Sequence, residues 1–160
     1  MKEIPLTQGQ VTLVDDEDYE WLSQWKWCAA WDVRTRSFRA CRTEILDGKR
    51  HPRTMHGLIM KTHPGQEVDH VNHNTLDNRR ENLRLCDHCQ NQANQRKHAD
   101  SKSPYKGICW HARHKKWMAT IHVRGVHTHL GYFKTPEEAA RAYDAAAKER
   151  WGEFACINGV

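Results

Sequence analysis

Apolar and polar positions alternate over short stretches through the first sixty residues, which predicts several strands joined by tight turns. VTLV at 11–14 reads as a strand, and the acidic run Asp15–Asp18 as the start of a short helix, where negative charge complements the helix dipole. WCAAWDV and SFRACRTEIL read as the strands of a hairpin. Trp21, Trp25, Trp27 and Trp31 cluster here, and the expectation for all four is core packing. PRTMHGLIM reads as a short helix with Met55, Leu58 and Ile59 inward, and His56 either packs beside them, the favoured reading, or faces DNA. HPGQEVDH is a turn feeding a strand, HNTLDNRREN is a loop dense in turn-forming Asn and Asp, NLRLC is a second strand, and DHCQNQANQRK opens a helix.

The pattern then breaks. NQRKHADSKSPY has no apolar periodicity, so residues 96–103 are expected to be a linker between a unit at 1–95 and a unit at 104–160. In the second unit YKGICW, KWMATIHV and THLGYF read as three strands, with HARHK and RGV as turns. TPEEAARAYDAAAKERWG is the clearest helix in the chain. Thr135 is its N-cap, Pro136 fits the first turn, Glu138 completes a capping box and Gly152 stops it. Ala139, Ala142, Tyr143, Ala146 and Ala147 form a small-residue face suited to close contact with a sheet. For Trp117, Tyr132, Phe133 and Tyr143 the expectation is core packing.

Composition narrows the function classes. Mean hydropathy is low, no apolar run is long enough for a membrane span, and MKEIPLTQGQ has no secretory h-region. The expected location is therefore the cytoplasm of a bacterial or phage-infected cell. Cys86 and Cys89 form the one CxxC among six cysteines, and without a second pair a structural zinc site is disfavoured. Net charge is +5, unevenly placed. Residues 26–53 carry eight Lys or Arg against three acids, and residues 101–133 carry six with no acid and five histidines. Basic blocks interleaved with aromatics point to a polyanion, and nucleic acid is the usual one.

The middle segment carries the chemistry. Val68-Asp69-His70 sets a carboxylate beside an imidazole, and phosphodiester hydrolysis needs a base for water together with a divalent cation held by hard oxygen donors. An unperturbed histidine titrates near ~6.5, which suits the base role. Asn82 lies twelve residues after His70, and Asn91 nine further. In this spacing the segment resembles the HNH, or ββα-metal, nuclease motif of phage and intron homing endonucleases over roughly residues 55–95. The resemblance implies that His70 is the general base, that Asn82 holds the loop and orients His70, and that Asp69 and Asn91 ligate one Mg²⁺ or Mn²⁺. Arg79, Arg80 and Arg84 are candidates for phosphate contact or plain solvation, and His73 is placed in the loop.

Residues 104–158 resemble the plant ethylene-response-factor, or AP-two type, DNA-binding domain through YKGI, KKWMATI, HLGYFKTPEEAARAYDAAA and the final Gly152, Ala155 and Asn158. That resemblance implies a sheet lying in the major groove of double-stranded DNA, read through Lys106, His111, Arg113, Lys115, Lys116, Thr120, His122, Arg124, His127 and His129. Cys109 and His111 stand where the plant domain usually has Arg, so its target sequence is not carried over.

The fold class expected is α+β: a ββα-metal module with a small strand-rich N-terminal extension, then a three-stranded antiparallel sheet packed on one helix. The function expected is a site-specific, metal-dependent DNA endonuclease leaving 5′-phosphate and 3′-hydroxyl ends. The rival is a sequence-specific DNA-binding regulator with an inert nuclease module. The sequence leaves monomer or homodimer open.

Overall fold

A computed structural model describes residues 1–33, 35–97 and 101–160, so the middle of the expected linker, residues 98–100, lies outside the described residues. The chain divides into two compact units, Met1–Asp87 and His88–Val160. Its architecture is mixed α/β, with several small antiparallel sheets and four α-helices among the described residues.

In the first unit, β1 (Lys2–Pro5) pairs with β2 (Val11–Val14), and α1 (Asp16–Leu22) follows directly. β3 (Cys28–Asp32), β4 (Ser37–Leu46) and β5 (Lys49–Thr54) form a meander with β4 central. The hairpin legible in the sequence is β3–β4. The third strand, KRHPRT, has no apolar alternation and carries Pro52, which is tolerated because β5 is an edge strand. α2 (Met55–Ile59) turns the chain into β6 (Glu67–His70), which pairs with β7 (Leu83–Cys86). Val14, Leu22, Trp27, Met55, Ile59, Val68 and Leu83 close one core beneath these elements.

The tryptophans do not share one fate. Trp27 is buried and donates its Nε1–H to the carbonyl of Leu22, 2.9 Å away, and Trp21 packs at the core margin. Trp25 and Trp31 are exposed, contrary to expectation. Trp25 is covered on one face by the Arg42 guanidinium at 4.3 Å, and Trp31 leans on Phe38 edge-on. Each rests from outside on a side chain at the core margin.

In the second unit, α3 (His88–Asn94) precedes β8 (Ile108–His111), β9 (Lys116–Val123) and β10 (Val126–Phe133), a sheet with β9 central. α4 (Pro136–Trp151) packs across it. The capping box at Thr135 and Glu138 is formed, and Gly152 takes a positive φ at the helix end. Ala139, Tyr143 and Ala147 lie against Ile108, Ala119 and Ile121. Gly107 enters this contact with φ +75°, and a Cβ there would stand 2.0 Å from the Tyr143 ring, so only glycine lets the chain cross the helix at that height. Trp117, Phe133 and Tyr143 pack as expected. Tyr132 is exposed on the opposite face, because its register partner is Met118 rather than the inward Trp117 or Ala119.

Candidate active site and nucleic-acid interface

β6 ends at a turn, and this brings Asp69 and His70 into the first unit with both side chains buried. Asp69 Oδ2 accepts from Arg84 Nε at 2.9 Å and Nη2 at 2.7 Å, across the register pair Asp69–Arg84 of β6 and β7. The neighbouring arginines are likewise engaged. Arg79 grips Asp77 through Nε and Nη2, and also reaches Glu81. Arg80 donates to both oxygens of buried Asp18 at 2.8 Å. All three guanidiniums are ties within the unit, Arg84 largely buried and Arg80 still partly exposed. Asp18, at the end of the acidic run, is an ion-pair partner that also accepts from Trp21 Nε1 at 3.0 Å.

The loop from 71 to 82 is pinned from two sides. Asn82 Oδ1 accepts from the Asn72 N–H at 2.9 Å, and its Nδ2 donates to the Asp77 carbonyl at 2.8 Å. β2 meets the loop as well, with Leu13 N–H donating to Leu76 O and Asn78 N–H to Leu13 O. The loop is thus backbone-paired to a strand some sixty residues earlier. His73, in this loop, adopts a left-handed conformation.

His70 Nε2 lies 3.3 Å from Asn78 Oδ1, and Asn78 is fully buried. The roles of these atoms follow from the bonds behind them. Thr12 Oγ1 donates its one hydrogen to Leu76 O at 2.7 Å, so it accepts from Asn78 Nδ2, also at 2.7 Å. That turns the Asn78 carbonyl toward His70, and a carbonyl only accepts. Nε2 therefore carries the proton, and the imidazole lone pair sits on Nδ1. Burial holds the His70 pKa below its ordinary value, against smaller upward pulls from the Asn78 bond and the charges of Asp69 and Asp77. A neutral imidazole at pH 7 results. His56, from α2, packs its ring edge-on to His70 at 5.1 Å between centroids. Burial, with His70 and Arg39 nearby, lowers its pKa to about 3. Asn78 reads in the sequence only as a loop residue and Thr12 as a strand residue; no local signal marks either as a partner of His70.

Cys86 is buried at the end of β7, and burial pushes its thiol up to about 12. Among the described residues no group of three or more His, Cys, Asp or Glu side chains is gathered to hold a metal ion. A Mg²⁺ site needs no such group, because this ion retains several waters and takes one or two carboxylates. Asp69, a hard donor held in place by Arg84, suits that chemistry.

In the second unit, strand alternation sorts the expected DNA contacts. Thr120, His122, His127 and His129 lie on the sheet face away from α4, with His111 and Lys116 beside them at the β8–β9 end. Arg113 and Lys115 occupy the exposed β8–β9 turn, and Arg124 the β9–β10 turn. His111, His114 and His129 gather around Tyr132, at 5.1, 4.5 and 4.6 Å between centroids. Lys106 precedes β8 and borders one cavity with Thr120, His122 and His127. It is half-buried, and its ammonium donates to the carbonyls of Ala93 and Gln95 at 2.6 Å each. Asn91, the last motif position, is half-buried on α3.

Residues 56–93 match the family model of the HNH endonuclease, and residues 103–153 match that of the AP2 domain. The HNH match precedes the AP2 match along the chain. An uncharacterized HNH endonuclease of Acanthamoeba polyphaga mimivirus is 32% identical over 93 residues, which is 58% of this chain and 47% of that protein. The chain thus aligns with about half the length of this relative. No solved structure matches the chain. His56, Asp69, His70, Asn78, Asn82 and Asn91 all fall inside the HNH segment, whereas Thr12 and Asp18, which brace it, fall outside. All ten expected DNA contacts fall inside the AP2 domain. Among the described residues no helix is long and apolar enough to cross a membrane.

Proposed function

We propose that this protein is a site-specific, metal-dependent DNA endonuclease whose general base is His70. The observation that carries the proposal is the chain Leu76–Thr12–Asn78–His70, which supports an Nε2-protonated imidazole with its lone pair on Nδ1, while burial favours the neutral form. A general base needs that protonation state. The HNH match supports the reaction class, and the spacing of Asp69, His70, Asn82 and Asn91 supports the residue roles.

In this mechanism Nδ1 of His70 takes a proton from water as the water oxygen attacks phosphorus. The P–O3′ bond breaks, leaving a 5′-phosphate, and the 3′ oxygen is protonated from solvent to a hydroxyl. Asn82 holds the loop so that His70 keeps its orientation. Asp69 and Asn91 are the residues that would hold Mg²⁺ or Mn²⁺, in the ββα-metal arrangement that the motif implies. When bound, such an ion neutralises charge on the scissile phosphate and the departing oxygen. The functional division proposed is a nuclease at 1–95, with its motif core at 55–95, and a DNA-binding domain at 104–160. The open sheet face and its basic turns bind double-stranded DNA and supply affinity and specificity. One such site cuts one strand, so a monomer nicks.

Supercoiled plasmid incubated with Mg²⁺ tests the proposal. Wild type is expected to yield open circles and His70→Ala none, while both still retard DNA in a gel. If wild type binds but leaves plasmid intact across a library of target sequences, the protein is a DNA-binding regulator instead.

A further inference from the structure

The short helix α3 lies in the second unit, packed against α4 and the turn at Gly152–Phe154, and Lys106 is the side chain that bonds its C-terminal end. A helix of seven residues is too short to persist by itself, and its last carbonyls have no partner within the helix. Lys106 Nζ supplies two of them with donors, at Ala93 O and Gln95 O, both 2.6 Å away. The Cys156 N–H donates to Ala93 O as well, at 3.3 Å. A cation at a helix C-terminus also meets the negative end of the dipole.

Lys106 is itself held. Its backbone N–H donates to Asn158 Oδ1 at 2.7 Å, and its carbonyl accepts from Asn158 Nδ2 at 3.2 Å. Asn158 is fixed in turn by Asp144 of α4, which accepts from Asn158 Nδ2 at 2.9 Å and from the Asn158 and Gly159 amides at 2.8 and 2.9 Å. An unbroken line of hydrogen bonds runs from the long helix of the AP2 domain to the end of α3. Asn91 lies two residues before Ala93, within one turn of that anchor.

From this we infer that Lys106 is a positioning residue of the nuclease, fixing the helix that presents Asn91, and does not contact DNA phosphate. The inference rests on the nuclease reading and on Asn91 as a metal ligand. The two candidate roles of Lys106 predict opposite results. A phosphate contact contributes about one to the slope of log K against log salt, whereas a helix anchor contributes nothing to it.

The experiment uses the full chain, comparing wild type with Lys106→Met and Lys106→Arg. DNA affinity is measured without metal over a series of salt concentrations, and nicking is measured over a series of Mn²⁺ concentrations. For Lys106→Met the salt slope is expected to stay unchanged while the half-saturating Mn²⁺ concentration rises about tenfold, one factor of ten corresponding to ~1.4 kcal/mol. Amides at 89–95 should exchange hydrogen faster, and Lys106→Arg should recover most of the metal response. A slope reduced by one, or an unmoved Mn²⁺ midpoint in an active Lys106→Met protein, overturns the inference alone. Wild type that never nicks overturns the nuclease reading and this inference with it. If Lys106→Met does not fold, Lys106→Gln, which keeps one donor pair, carries the same comparison.

Discussion

Asn78 accepts a hydrogen bond from His70, and Thr12 decides that it does so. The base of the proposed reaction therefore owes its tautomer to a hydroxyl on a strand 58 residues earlier. Thr12→Val removes the acceptor for Asn78 Nδ2 and frees the amide to flip. The expected outcome is a fall of about tenfold or more in the nicking rate with unchanged DNA affinity, read by single-turnover kinetics. Asn78→Ala should in addition move the acidic limb of the rate profile to lower pH, because the lost bond favours the protonated imidazole.

His56 makes stability depend on pH. Its folded pKa, about 3, lies below its unfolded value near ~6.5, so the unfolded chain binds the extra proton between those limits. The stabilisation is complete above ~6.5 and is lost as pH falls toward about 3. Urea midpoints should decline below pH 6, with a slope of at most ~1.4 kcal/mol per pH unit from this residue. His56→Phe keeps an aromatic edge against His70 and should flatten the decline. An equal decline in the variant would assign the effect to other groups.

Arg84 neutralises a carboxylate that is almost fully buried. Arg84→Met removes the guanidinium that neutralises Asp69, and is expected to cost about 3 kcal/mol in urea denaturation. The double variant with Asp69→Leu should recover much of that loss, since two apolar side chains replace the pair.

Gly107 and Gly125 both have positive φ, yet they should respond very differently to alanine. At Gly125 a new Cβ meets nothing within 4 Å, and the expected cost is the backbone term alone, about 1 kcal/mol. At Gly107 it meets the Tyr143 ring at 2.0 Å, so Gly107→Ala should destabilise the second unit by well over ~3 kcal/mol, the upper range for overpacking, and abolish DNA binding. Thermal melts of the two variants measure the difference.

Arg113, Lys115 and Lys116 crowd the β8–β9 turn, and the proposed groove contact assigns them to phosphate. Each substitution by alanine should weaken binding uniformly across sequences and lower the salt slope by about one. An unchanged slope in the triple variant would remove this turn from the interface.

Much of the architecture is legible without coordinates. The α4 helix announces both its ends, β8 to β10 lie between clear turn signals, and so does the β6–loop–β7 pattern. β5 escapes notice because its residues are basic and include Pro52. Trp25 and Trp31 mislead because an aromatic side chain satisfied by Arg42 or Phe38 at the surface has the same local pattern as one in the core. The spacing of Asp69, His70, Asn82 and Asn91 is a local signal and can be read as such. Thr12, Asn78 and Lys106 make contacts 8 to 66 residues away in sequence, and no periodicity encodes those.

Thr12 and Asp18 reach the loop of the proposed site from outside the residues that match the HNH model. The loop is therefore not a portable cassette. A chimera that begins at residue 55 inherits His70 and Asn82 but leaves Asn78 without its hydroxyl and Arg80 without its acid. A fragment that keeps these bonds has to begin before Val11, carrying β2 along with the motif.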